Sequence, residues 1–268
     1  ELIQERLPHK LIMIFISDIH HGLDSLSTLP KDKGPLVILG DLINWIDYRN
    51  GEGIAKDVFG EENVNELMNL RKKHDFSKRK KMWEQLFSED RELKQQKIQD
   101  SIYKQYEDVF KLLKNFEVFL IPGNVDSLEI LEETKTKNVT NIDGKVLDYK
   151  NIKLGFAGGG VPTPINARGE ISEEEFKTKL EKLGNVDIIC THAPPFIDEL
   201  ITDVITNKKE QGWESLKTFI EDKKPKFSLF GDVHQPKAYE WILGSTKCIN
   251  IGYFRSTSSY LDLESLKI

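Results

Sequence analysis

The sequence predicts an α/β protein, and two patterns carry that prediction. Five short apolar runs, rich in β-branched residues, each give way to Asp, Asn or His. Between the second and third runs lies a long charged stretch whose apolar residues recur at helical spacing. A short apolar run closed by turn residues reads as a strand buried on both faces. The first is Leu11–Ile16, followed by Ser17-Asp18-Ile19-His20-His21-Gly22. Leu36–Leu39 runs into Gly40-Asp41, and Val118–Ile121 into Pro122-Gly123-Asn124-Val125-Asp126. Val186–Cys190 is followed by Thr191-His192-Ala193-Pro194-Pro195, and Phe227–Phe230 by Gly231-Asp232-Val233-His234.

Polar side chains at the carboxyl ends of buried strands are commonly placed to meet a ligand. Asp18 and His20 alternate, so an extended backbone would project them to one side and His21 to the other. An oxygen and a nitrogen donor on one face can share a divalent cation. A single Gly-Asp or Gly-Asn after a strand is an ordinary turn; five polar strand exits in one chain are harder to dismiss. Glycine before Asp41, Asn124 and Asp232 permits a sharp exit and a close backbone approach. The donors are carboxylate, amide and imidazole with no thiolate, which suits Mn, Fe or Zn, with Mn favoured, over a thiolate zinc site.

Residues 51–115 are expected to be a mostly helical insertion within one domain spanning 1–268. Asn63 with Glu66 resembles a capping box. Ile98, Ile102, Tyr106, Phe110 and Leu113 form the apolar face of an amphipathic helix, and Met82, Trp83, Leu86 and Phe87 form a second apolar group. That stripe must be covered by the rest of the chain or by a second copy, so a homodimer through the insertion is one expectation. The run Arg71–Lys81 reads as a solvated helix face. Its alternative is a cap that draws a polyanionic or nucleotide substrate inward.

Composition narrows the class. At 38% hydrophobic and 31% charged residues, the chain is a soluble globular type rather than a disordered or membrane one. A net charge of −6 disfavours a general nucleic-acid binder, although a local basic patch is allowed. Cys190 and Cys248 are too few for a disulfide framework, and Cys190 is expected to be a reduced core residue. No apolar run approaches the roughly 20 residues that span a bilayer, and Leu11–Ile16 is short for a signal-peptide core. A cytoplasmic protein is expected.

In chain order, "SDIHHG", "LGDLIN", "PGNVD", "THAPP" and "FGDVHQP" resemble the motifs of the calcineurin-like metallophosphoesterase superfamily. "FAGGGVPTP", "SEEEF" and "INIGYF" are similar to the Icc-related phosphoesterases within it. The resemblance extends from Leu11 to about Tyr260. It implies a four-layer α/β/β/α sandwich of two mixed sheets with metals at the strand ends. It also implies that Asp18, His20 and His234 hold one metal, Asn124 and His192 a second, and Asp41 both, with a metal-bridging hydroxide as nucleophile. Asp41, Asn124 and His192 are the catalytic candidates.

Two positions depart from that pattern. Many members have His after the Gly-Asn, where Val125 stands here. Asp232 stands in place of an imidazole; it would either ligate the second metal or point away and leave that site weak. His21 is expected to pack or to support the site rather than to ligate; the alternative is a turn that brings it round as an acid. Gly158–Pro164 lacks the Gly-Lys-Ser/Thr of a phosphate-binding loop, so a turn bordering the substrate is the better reading. The expected activity is hydrolysis of small phosphoester or nucleotide substrates, diesters before monoesters. A degenerate metal- or nucleotide-binding interaction module and a nucleotide pyrophosphatase are the alternatives.

Overall fold

The computed structural model describes residues 13–31, 34–73, 75–163, 167–205 and 207–267. Leu11, Ile12, His74 and Pro164, which figure in the expectations above, lie outside the described residues. Strands β1 (Ile14–Ile16), β2 (Leu36–Leu39), β3 (Val118–Ile121) and β4 (Val139–Asn141) pair in parallel, in that order. A second sheet begins with β5 (Val146–Tyr149), β6 (Ile152–Ala157) and β7 (Ile188–Thr191). A hairpin of β8 (Thr202–Asp203) and β9 (Lys208–Lys209) intervenes. Then β10 (Phe227–Phe230), β11 (Glu240–Leu243) and β12 (Thr246–Asn250) complete the second sheet in the order β11-β12-β10-β7-β6-β5. Finally β13 (Leu261–Asp262) returns antiparallel to the outer side of β1.

The apolar runs are continuous because both faces of these strands are buried. Phe15, Val37, Leu39 and Ile121 of the first sheet meet Leu154, Phe156, Ile188 and Leu229 of the second in a shared core. The alternate residues Ile14, Ile16, Leu36, Ile38, Val118 and Leu120 face the helices instead. Those helices are α1 (Leu23–Ser27), α2 (Ile54–Phe59), α3 (Glu61–Lys72), α4 (Phe76–Ser88), α5 (Arg91–Leu112) and α6 (Leu128–Thr134). On the far side of the second sheet, α7 (Glu173–Leu183) and α9 (Glu214–Lys223) bury Phe176, Leu180, Leu216 and Ile220, with α8 (Asp198–Ile201) between them in sequence. A short α10 (Phe254–Thr257) precedes β13. Helix, sheet, sheet and helix therefore stack as the four layers expected.

Helices α2 to α5 fill the charged stretch. Ile98, Ile102, Tyr106, Phe110 and Leu113 are buried in one cluster with Ile14, Ile38 and Leu120, so the stripe is covered within the chain. Trp83 and Phe87 gather with Trp45 and Phe59 in an aromatic group with ring centroids 5.0–6.5 Å apart. The capping box does not form. Helix α3 starts at Glu61 after Gly60 (φ +86), and the Asn63 amide instead donates to the Phe59 carbonyl, 2.8 Å away, tying α3 to α2. The glycine break arrives before Asn63 can act as the cap. Helix α4 is capped by Asp75, which accepts from the Lys78 N–H. Among the described residues, no helix is long and apolar enough to cross a membrane. Cys190 and Cys248 are buried free thiols.

Candidate metal centre

Five strand ends converge where the two sheets meet. The first sheet supplies Asp18 and His20 after β1, Asp41 after β2 and Asn124 after β3. The second supplies His192 after β7, and Asp232 and His234 after β10. The His20 Nε2 lies 3.1 Å from the His234 Nε2, 3.8 Å from Asp18 Oδ1 and 3.5 Å from Asp41 Oδ2. The His234 Nε2 is 3.4 Å from Asp18 Oδ1. On the other side, the His192 Nε2 is 3.4 Å from Asp41 Oδ1 and 3.6 Å from Asp232 Oδ1. Asp41 thus turns one carboxylate oxygen to each imidazole, and Asp232 points inward. Asp18 groups with His20 and His234 on one side, and with Asp41 and His192 on the other.

Convergence is reached differently from the alternation expected at Asp18 and His20. Asp18 (φ 58), His20 (φ 42), His21 (φ 55), Asp41 (φ 57) and Asp232 (φ 64) all adopt left-handed backbone rather than an extended strand. Such conformations cost about 1–3 kcal/mol each in non-glycine residues and persist only where surrounding contacts over-determine them. His21 therefore turns away for a different reason than alternation, and its Nε2 meets Asp108 Oδ2 on α5 at 3.2 Å. Close approach explains two of the glycines. A Cβ at Gly123 would stand 2.2 Å from Asp41 Oδ1, and one at Gly231 would stand 2.0 Å from the Ser17 hydroxyl.

The imidazoles are held in one tautomer. His20 Nδ1 lies 3.1 Å from the Ile43 carbonyl and His192 Nδ1 lies 2.7 Å from that of Leu39. A carbonyl only accepts, so each Nδ1 carries a proton, and in the neutral ring each Nε2 presents its lone pair to the centre. Burial, followed by the nearby His234, pushes the His20 imidazole down to about 3. Burial raises the Asp41 carboxyl well above the usual carboxylate range, reinforced by the charges of Asp18, Asp126 and Asp232. Burial works against protonating His192, but Asp41 and Asp232 outweigh it and hold that imidazole well above its ordinary value. Burial also opposes ionisation of Asp18, yet the contact with His234 draws it to about 2.

The donor atoms fit divalent cations on a specific observation. Asp18 Oδ1, Asn124 Oδ1 and His192 Nε2 are buried, and each lacks a hydrogen-bond partner. Buried polar atoms are rarely left so unless something else satisfies them. Carboxylate, amide and imidazole donors are the appropriate types for that role.

Several residues that shape this centre carry no metal-binding signature in the sequence. Asp126, fully buried, accepts from the N–H groups of Asp41 (2.8 Å), Leu42 (3.1 Å) and Gly123 (2.8 Å) and from the Tyr106 hydroxyl (3.1 Å). It locks the β2 and β3 exits together. Helix α5 reaches all three exits of the first sheet, through Asp108 to His21, Gln105 to the Asn44 N–H (2.7 Å), and Tyr106 to Asp126. Tyr253, in the "INIGYF" segment, stacks on His234 with ring centroids 4.0 Å apart. Gly158–Gly160 borders Asn124, and Gly169 donates to the Asn124 carbonyl. The Gly158, Gly159 and Gly160 N–H groups are already engaged by Asp143, Pro122 and Gly169, so this turn is no phosphate cradle.

Residues 13–236 match the calcineurin-like phosphoesterase family, and the chain belongs to it. The family and its donor cluster indicate metal-dependent phosphoester hydrolysis. An uncharacterized protein of Methanocaldococcus jannaschii, MJ1162, is 32% identical over 152 residues, which is 54% of this chain and 67% of that protein. One crystal structure superimposes with a TM-score of 0.62 at 16% identity, covering 94% of this chain and 95% of its own. That of TT1561 of Thermus thermophilus does so with a TM-score of 0.56 at 13% identity over 95% of each. At such identities these structures establish the fold alone.

Proposed function

We propose that this chain is a two-metal phosphoester hydrolase that favours diesters over monoesters, with Mn²⁺ the preferred cation. The observation that carries the reading is the trio of donor atoms on Asp18, Asn124 and His192 that are buried at the meeting point of two sheets without a hydrogen-bond partner. Asp18, His20 and His234 would hold one cation, Asn124, His192 and Asp232 the other, and Asp41 both. When bound, such a pair lowers the pKa of a shared water and offsets charge on the phosphoryl oxygens.

The chain's own residues prepare that chemistry. The Ile43 and Leu39 carbonyls fix the imidazole tautomers, and Asp126 fixes the backbone from which Asp41 and Asn124 project. Val125 packs its side chain against the helix-facing core and gives its N–H to Asp41 Oδ1 at 3.1 Å. No proton donor therefore stands at that position, and His21 is engaged with Asp108. Expulsion of a poor leaving group lacks an acid there, a contribution of about 10²–10⁴-fold. Asp232 adds a negative charge beside His192, which repels a dianionic monoester more than a monoanionic diester.

The test measures metal content and kcat/KM for bis(p-nitrophenyl) phosphate against p-nitrophenyl phosphate in Mn²⁺. Diester turnover above monoester turnover is expected. A protein that binds cations but turns over neither ester would support the interaction-module alternative.

A further inference from the structure

We propose that the helical insertion and the β8–β9 hairpin form a second anion subsite, in which Arg71, Arg79 and Lys208 hold an additional phosphate of a small polyphosphorylated substrate. This rests on the hydrolase reading for its catalytic meaning, but the subsite itself stands on separate residues. Arg79 on α4 is only 8% exposed, and among the described residues it makes no ion pair or side-chain hydrogen bond. None of its guanidinium nitrogens is both fully buried and unpartnered, so a packed stem carries a cationic head that solvent, and hence an anion, can reach. Its guanidinium carbon lies 5.2 Å from the Phe76 ring centroid, and the Lys208 Nζ lies 5.1 Å from the same centroid. Phe76 is 55% exposed, so the cations gather around a ring that opens to solvent rather than the core.

The third cation, Arg71 on α3, lies over the Tyr48 ring at 3.8 Å and pairs with Glu210 Oε1 at 3.7 Å. Among the described residues, Glu210 is the single carboxylate within ion-pair distance of the three. Burial lowers the Lys208 ammonium first, and the like charge of Arg71 adds to it. Such a cluster is relieved when an anion enters.

Its location points toward the metal centre. The hairpin bearing Lys208 is bound to the His234 loop, with the Val204 N–H donating to the Gln235 carbonyl and Asp203 bridged to Pro236. Glu210 lies within electrostatic reach of Asp232. Tyr48 under Arg71 adjoins Arg49, whose guanidinium covers Tyr253, the ring stacked on His234. Within the basic run, Lys72, Lys73, Lys78, Lys80 and Lys81 form the solvated face expected, while Arg71 and Arg79 are withdrawn from it. A short polyphosphorylated molecule fits this arrangement better than a long polyanion, because the cations are few and partly buried while the chain is acidic overall.

The subsite is tested first without catalysis. Calorimetry on chelator-treated protein should show inorganic tripolyphosphate binding more tightly than orthophosphate. Arg71→Ala and Lys208→Ala should each raise the tripolyphosphate Kd about 10-fold, as loss of one charged contact implies, and Lys80→Ala, exposed on α4, should not. In Mn²⁺, the p-nitrophenyl ester of thymidine 5′-phosphate is then compared with its 3′-phosphorylated counterpart. The wild type should prefer the latter, and both subsite variants should shrink that preference through KM. Absence of tripolyphosphate binding, or variants that bind it as the wild type does, overturns the subsite even if both esters are hydrolysed. Binding with hydrolysis of neither ester keeps the subsite and overturns the hydrolase reading. A long single-stranded oligonucleotide binding far more tightly than tripolyphosphate would replace the small-molecule ligand with nucleic acid.

Discussion

The loops of the first sheet hold Asp18 and Asp41 with 1% and 3% of their side chains exposed, whereas those of the second leave Asp232 and His234 at 20% and 35%. On the first side, a buried carboxylate and one helix tie three strand exits together. On the second side, His192 is fully buried against the Leu39 carbonyl, but Asp232 and His234 depend on an N–H contact to Asp18 and a stacked tyrosine. The first half is therefore built for rigid geometry. The second half can change its donors at lower structural cost, and it is there that Asp232 departs from the imidazole of the related motif.

The sharpest way to break this comparison is to remove the residue shared by both halves. Asp41→Asn should lower kcat/KM about 10³-fold, the scale of losing a charge aimed at the reacting centre, while circular dichroism remains that of the folded protein. Near-native activity in saturating Mn²⁺ would overturn the role given to Asp41.

The two halves can next be set against each other. Asp126→Ala orphans several buried donors, each costing about 1–3 kcal/mol, and should weaken cation affinity about 10–100-fold. Tyr253→Leu on the exposed side should change affinity by less than about 10-fold. Equal losses of thermal stability and affinity in the two variants would remove the distinction.

Selectivity should respond on a smaller scale. Val125→His should improve diesters with poor leaving groups by about 10-fold or more, and Asp232→His should raise monoester turnover relative to diester. Matched kcat/KM series across leaving-group pKa give the readout, and an unchanged ratio in both variants would sink the argument.

The smallest effect concerns protons. His20, drawn down to about 3 from 6.5, is neutral in folded and unfolded chains above its ordinary value and contributes no slope there. Asp41 and His192 are both raised in the fold, so without cations the native state binds excess protons. Stability from a raised group is lost as pH climbs through its folded value. Metal-free protein should thus melt earlier as pH rises above about 6.5, and Mn²⁺ should raise the Tm more at about pH 8.5 than at about pH 6.5. A cation effect independent of pH would contradict the assignment of those protons.

Much of this was legible in the residues, for identifiable reasons. A strand covered on both faces must be apolar throughout, so Asp18, Asp41, Asn124, His192 and His234 stand out where such runs end. The stripe from Ile98 to Leu113 was equally plain, because a single helix period reports which face is covered. Asn63 misled, because capping chemistry is local and a glycine three residues earlier decided the helix start. Asp126 lay in view within "PGNVD", but nothing local says that a carboxylate will gather donors from a loop 85 residues away.

By itself, then, the sequence determined the strands, the helical stripe and the donor types at the strand ends, since each depends on periodicity and on chemistry carried within a few residues. Tertiary structure alone decided that α5 would brace three exits through Gln105, Tyr106 and Asp108. It also decided that Asp18, His20, Asp41 and Asp232 would take left-handed backbone, and that Arg79 would be buried beside Lys208. Each of these turns on contacts between distant segments, and such contacts are set by sheet register and layer packing rather than by any residue's own neighbours.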